Sequence, residues 1–235
     1  MLHDILLISE KHKSAAKAIV KHVVDQRSAL TQTNPDYRFI LAISGESGAG
    51  KSELSHELGI SLGKHGISAK VLHADNYYKV PPLERKAWRT ESGFEQVGIE
   101  EYDWDMLNGT IDDFRNGRRS VMPCIDLVTQ ETDQLYTNFG AVELLIIDGL
   151  YAMGVNNADL RIYIDLTWHD TKKQQLMRGK ETVDKDRIKV LEMEHRSVRS
   201  LRGSADIIVD KAYNVLLADI GQVQGEAVPV FCPPS

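Results

Sequence analysis

The stretch Gly45-Glu46-Ser47-Gly48-Ala49-Gly50-Lys51-Ser52 leaves this chain the least freedom. It reads G-x-x-x-x-G-K-[ST], a phosphate-binding P-loop, and such a loop works only where a strand hands over to a helix. Both flanks are present. Phe39-Ile40-Leu41-Ala42-Ile43-Ser44 is an apolar, partly β-branched run that predicts a buried strand. Ser52-Glu53-Leu54-Ser55-His56-Glu57-Leu58 follows with Leu54 and Leu58 on one helical face. The glycines let the backbone turn successive N–H groups toward phosphate oxygens, at the positive end of the helix dipole. In that setting Lys51 reaches the β- and γ-phosphates of a nucleoside triphosphate and the Ser52 hydroxyl ligates Mg²⁺.

A chain that starts its core in this way predicts an α/β, three-layer P-loop NTPase fold: a parallel sheet core with helices on both faces and a helical lid. Its 235 residues suffice for one such domain with small additions. We expect a helical extension over 1–34, the nucleotide-binding domain over 35–221 with its lid at about 168–203, and a tail over 222–235. The formal charge of -6 argues against a broad polyanion-binding surface and so against nucleic acid as a partner. Cys124 and Cys232 stand far apart in no metal-ligand spacing, which points to a reduced compartment. Met1-Leu2-His3-Asp4-Ile5-Leu6-Leu7-Ile8 has no basic residues ahead of its apolar ones and meets Glu10 and Lys11 at once. It reads as neither a signal peptide nor a bilayer span, so the expected location is the cytoplasm, with no membrane partner.

Ser14 to Leu30 predicts an amphipathic helix, with Ala15, Ala18, Ile19, Val23 and Leu30 on one face. Ala69-Lys70-Val71-Leu72-His73 predicts the second strand, and Asp75 follows directly at its C-terminal end. Ligands of open α/β sheets lie outside that edge, so Asp75 faces the same phosphates as Lys51. Residues 79–100 read as a polar flap with a short helix over Leu83–Arg89, the expected acceptor-binding region. A helix runs from Tyr102 to about Arg115, and Ser120 to Asp126 is a short strand. Glu143-Leu144-Leu145-Ile146-Ile147-Asp148-Gly149 has the form of a Walker-B strand whose acid, Asp148, holds Mg²⁺ directly or through water. Ala158 to Asp165 and Ala205 to Val209 are further strands, and Tyr213 to Leu217 extends or pairs with the last. Trp168 to Arg202 is helical and rich in cations, among them Lys172, Lys173, Arg178, Arg196 and Arg199.

Among P-loop classes, a GTPase needs an N-K-x-D motif and a transporter-type ATPase an L-S-G-G-Q signature, and this sequence has neither. Several motifs in order resemble those of the uridine kinase and phosphoribulokinase family, over roughly residues 38 to 210. Asp75-Asn76-Tyr77-Tyr78 resembles D-[SD]-F-Y, Tyr102-Asp103-Trp104 resembles F-D-W, and Pro123-Cys124-Ile125-Asp126 resembles P-x-Y-D-F. Ile147-Asp148-Gly149-Leu150 resembles E-G-I-L, Arg178-Gly179 the lid's R-G, and Ser204-Ala205-Asp206-Ile207-Ile208 the terminal A-D-I-I.

The resemblance implies an ATP- and Mg²⁺-dependent kinase acting on a small-molecule hydroxyl acceptor, in chains that often associate as homo-oligomers. It assigns Asp75 as general base and metal-site carboxylate, beside Ser52 and Asp148 at the metal. Lys51 and Arg178 are the expected catalytic cations. Tyr77, Tyr78, Glu100, Glu101 and Asp126 are the expected acceptor residues. The nucleoside half of the family pattern is eroded: Gln96-Val97-Gly98-Ile99-Glu100-Glu101 stands where uridine kinases carry N-F-D-H-P-D-A, and Ile125 replaces the base-stacking aromatic. The acceptor therefore stays open between a uridine-like nucleoside, a sugar phosphate and a pantothenate-like molecule. A regulatory protein that binds ATP without turning it over is the remaining alternative.

Overall fold

The computed structural model describes residues 2–171 and 185–218. In chain order they form α1 (Glu10–Thr33), β1 (Phe39–Gly45), α2 (Lys51–Lys64), β2 (Ala69–His73), α3 (Pro82–Glu91), α4 (Trp104–Arg115), β3 (Arg119–Ile125) and β4 (Thr132–Asn138). These are followed by β5 (Leu144–Asp148), β6 (Leu160–Ile164), α5 (Lys185–Ser200), β7 (Ile207–Val209) and β8 (Val215–Leu217). Short 3₁₀ turns cover Ala74–Asn76, Ile99–Glu101, Ala152–Gly154 and Leu201–Ser204. The main sheet has six strands in the order β2-β5-β1-β6-β7-β8. All neighbours are parallel except β8, which returns antiparallel to β7.

Side-chain alternation explains why helices cover both faces. Phe39, Leu41 and Ile43 of β1 join Leu144 and Ile146 of β5 in one buried cluster. Ile40 and Ala42 join Leu145 and Ile147 in a second cluster on the other face. Strands that are apolar on both sides are stable only between two helical layers. The first cluster is roofed by α2 and by α1, which buries Ala15, Ala16, Ile19, Val20 and Val23. The second is roofed by α4 through Leu107, Ile111 and Phe114.

The sequence pattern places α1 over Ser14–Leu30; the observed helix is longer at both ends. Its early start follows from Ser9, whose backbone N–H donates to His12 Nδ1 at 3.0 Å and so closes the first turn. A second departure is the hairpin of β3 and β4, paired from Arg119↔Asn138 to Ile125↔Thr132 outside the main sheet. No helix among the described residues is long and apolar enough to cross a membrane. Arg178, Lys172, Lys173 and the tail over 222–235 lie outside the described residues.

What matters for chemistry is the register. Ile43 of β1 and His73 of β2 both pair with Asp148 of β5, so three strands end level. The P-loop, Asp75 and Asp148 leave the sheet at that shared edge.

Candidate active site

The P-loop is fastened from outside by groups distant in sequence. The Lys51 ammonium donates to the carbonyls of Gly45 and Glu46, at 2.9 and 3.0 Å, and lies largely buried. Gly50 has φ of +93°, and a side chain there would strike the Tyr213 hydroxyl and the His12 ring. That hydroxyl donates to the Ala49 carbonyl, while the Tyr213 ring packs edge-on to His12 at 4.9 Å. The Thr171 hydroxyl donates to the Ser47 carbonyl at 2.9 Å. Glu46 keeps its backbone in the loop, but its buried carboxylate turns away. Oε2 accepts from the Trp168 N–H at 2.7 Å, and Oε1 lies 2.7 Å from His195 Nδ1 on α5.

The two acids at the sheet edge are held differently. Asp148 is buried, with Oδ1 2.6 Å from His73 Nδ1, whereas Oδ2 has no hydrogen-bond partner among the described residues. Burial opposes ionisation of Asp148, yet the neighbouring His73 outweighs it and holds the carboxyl below its ordinary range. Asp75 sits on the 3₁₀ turn after β2. Its Oδ1 accepts from the Tyr102 hydroxyl and, at 3.1 Å, from the Leu150 N–H. Burial, then the Asp75 charge, push the Tyr102 hydroxyl well above its ordinary value, so Tyr102 remains a donor.

Gly149 lets these pieces meet. A Cβ there would stand 2.8 Å from the Tyr102 hydroxyl, 2.9 Å from Ala74 Cβ and 3.1 Å from Asp75 Oδ1. Gly149→Ala is expected to destabilise the fold by about 1–3 kcal/mol through overpacking. The check is thermal unfolding; a wild-type melting temperature would contradict the crowding.

The expected acceptor residues divide. Tyr78 stands beside the Asp75 partner Tyr102, ring centroids 4.9 Å apart, with the Arg85 guanidinium 3.7 Å over its ring. Tyr77 instead belongs to the core: it is buried, and its hydroxyl donates to Thr110 Oγ1 at 3.1 Å. The Glu101 carboxylate is engaged by Arg89, with Nε and Nη2 donating at 2.6 and 2.9 Å. Glu100 is exposed beside it on the same turn. Asp126 caps its own turn, accepting from the N–H groups of Val128 at 2.8 Å and Thr129 at 3.3 Å. Sequence reasoning missed His73, Tyr102 as partner of Asp75, and the Glu46–His195 pair. His73 had a legible signal, since it ends the strand beside Asp75; the other two depend on tertiary packing.

The residues at the edge fit Mg²⁺. Among the described residues no three His, Cys, Asp or Glu side chains gather as a metal cage. Mg²⁺ bound with a nucleotide does not use one: it takes one or two carboxylates together with phosphates and water. Among the described residues, Oδ2 of Asp148 is a buried anionic oxygen without a hydrogen-bond partner within bonding geometry.

Comparison with known proteins agrees with this geometry. The model of the Phosphoribulokinase / Uridine kinase family matches residues 40–214. A uridine kinase of Staphylococcus aureus is 26% identical over 130 residues, 54% of this chain and 61% of its own length, so the match spans about three-fifths of that relative. Among solved structures, the D-glycerate 3-kinase of Cryptococcus neoformans aligns with TM-score 0.62 at 12% identity, over 86% of this chain and 97% of its own. The phosphoribulokinase of Rhodobacter spheroides aligns with TM-score 0.57 at 16% identity, over 74% and 70%. These likenesses establish the P-loop kinase fold.

Proposed function

The chain belongs to the phosphoribulokinase/uridine kinase family, and from that premise we propose that it is a cytoplasmic ATP-dependent phosphotransferase acting on a hydroxyl of a small metabolite. The observation that carries this reading is Asp75, a carboxylate fixed by Tyr102 and the Leu150 N–H on the edge shared by the P-loop and Asp148. A second carboxylate so placed supports the reading because it could orient an acceptor hydroxyl beside the phosphates.

Loop 45–52 grips the phosphates through backbone N–H groups, and Lys51 neutralises charge on the γ-phosphoryl group. Asp75 orients the acceptor hydroxyl and takes its proton as the oxygen bonds to phosphorus and ADP leaves. Ser52, Asp148 and Asp75 are the residues that would hold Mg²⁺, which when bound offsets charge on the phosphate oxygens. Arg178 adds a further cation in this reading. The acceptor is uridine-like, with a sugar phosphate or a pantothenate-like molecule as the alternative.

Steady-state ADP release with Mg-ATP, measured with and without a metabolite panel, tests the proposal. Acceptor-dependent ADP release is expected. ATP binding with no release in the presence of any acceptor would instead establish a non-catalytic regulator.

A further inference from the structure

Glu46 is an acid in a loop whose pattern is that of a polyanion site, and its side chain is buried. A buried carboxylate costs free energy unless it is paired and hydrogen-bonded, and beside phosphates its charge also opposes the ligand. What the carboxylate holds gives it a purpose. Oε2 accepts from the Trp168 N–H at 2.7 Å, and Oε1 lies 2.7 Å from His195 Nδ1 on α5. A carboxylate oxygen only accepts, so Nδ1 carries the hydrogen of that bond.

Two neighbours of His195 on α5 reach the other half of the site. Ser197 Oγ accepts from the Ile99 N–H at 3.2 Å, and Glu194 Oε1 accepts from Arg89 at 3.5 Å. Both contacts fasten the turn Ile99–Glu101, because Arg89 is held bidentate by Glu101. Gly98 lets α5 come so near: its φ is +150°, and a Cβ there would stand 3.2 Å from Ser197 Oγ. Tyr102 follows the turn directly. Its N–H donates to the Ile99 carbonyl at 3.4 Å, and its hydroxyl donates to Asp75. At about 100° per residue, Glu194 and Ser197 lie on one side of the buried Val198 and His195 on the other. Helix α5 is thus wedged between the P-loop and the turn that leads to Tyr102.

We propose that His195 and Ser197 are positioning residues for phosphoryl transfer. Through α5 they keep the turn behind Asp75 in register with the P-loop, so that a nucleotide seated in the loop steadies the acceptor side. Transfer to a hydroxyl depends chiefly on placing donor and acceptor in line, and a displacement of about 1 Å can cost about 10²-fold. The proposal rests on the phosphotransferase reading above and adds how its two halves stay aligned.

Amide hydrogen exchange of the full chain is followed with and without the analogue Mg-AMP-PNP, at about 100 times its Kd, where complete linkage slows exchange about 100-fold. The unaltered protein is compared with His195→Ala, His195→Asn and Ser197→Ala. In the unaltered protein, exchange over residues 99–102 should slow at least about 10-fold more than in the β3–β4 hairpin, which lies outside the main sheet. Both alanine variants should lose that excess. His195→Asn should keep it, since the amide nitrogen stands where Nδ1 stood and still donates to Glu46. With any acceptor that supports ADP release, each alanine variant should lower kcat about 10-fold, and the double variant no further, because the two residues act through one helix. KM for ATP should stay within about twofold, because Glu46 keeps the Trp168 N–H. If these bonds serve stability alone, the alanine variants lower the melting temperature but keep both the excess protection and kcat. That result overturns the proposal, and so does slowing that is equal in turn and hairpin. Excess protection without turnover of any acceptor keeps the positioning role of α5 and removes the phosphotransferase. Failure to bind Mg-AMP-PNP removes both.

Discussion

Asp75→Asn is expected to lower kcat by about 10²–10⁴-fold, the range carried by a positioned general base. KM for ATP should stay within about twofold, because the amide oxygen can still serve the metal that accompanies the nucleotide while the proton acceptor is lost. The fold should survive, since the amide oxygen can still accept from the Tyr102 hydroxyl and the Leu150 N–H. Tyr102 cannot replace the lost base: burial, the largest cause, still holds its hydroxyl above its ordinary value once the Asp75 charge is gone. Coupled-assay turnover and a melting curve on the same preparation test both halves of the expectation. Near-normal turnover would remove Asp75 from the chemistry.

The second large effect belongs to Lys51. Lys51→Ala should reduce turnover by about 10²–10³-fold, the cost of removing one preorganised donor from developing phosphoryl charge. Unlike Asp75→Asn, it should also weaken ATP itself, since the ammonium serves the bound phosphates before transfer begins. It carries a structural cost too: the carbonyls of Gly45 and Glu46 each lose the ammonium, Glu46 keeping the Ala49 N–H at 3.1 Å, at a cost of about 1–3 kcal/mol. Nucleotide affinity by fluorescence titration, alongside turnover, separates the two variants. Equal ATP affinity in Lys51→Ala and the unaltered chain would contradict the role given to the loop.

Much of this architecture was legible because short apolar runs met turn chemistry at fixed places. Strands β1, β2 and β5 lie within a residue of the runs that announced them. Strand β4 was not readable, for a physical reason: Thr132-Asp133-Gln134-Leu135-Tyr136-Thr137-Asn138 pairs only with β3 and is mostly exposed, so nothing demands apolar alternation. In the site, strand order alone places Asp75 and Asp148 with the P-loop at one sheet edge, and the structure has them there. Residues whose contacts are set by a distant partner are not legible in this way. Glu101, expected at the acceptor, has both its oxygens held by Arg89, twelve positions earlier in sequence, a partner that the local sequence does not announce. Tyr77 and Tyr78 are adjacent and alike, yet one faces Thr110 in the core and the other Tyr102 beside Asp75. Only packing separates them.

Helix α1 adds a point about where this protein begins as a folding unit. The family pattern starts at residue 40, yet five side chains of α1 lie within the cluster that seals one sheet face. Its His12 also stands behind Gly50 of the loop. The segment that matches the family and the packed unit therefore have different borders. A chain trimmed to the family's limits would lose part of its interior rather than an appendage, and would expose the apolar back of α2 to water.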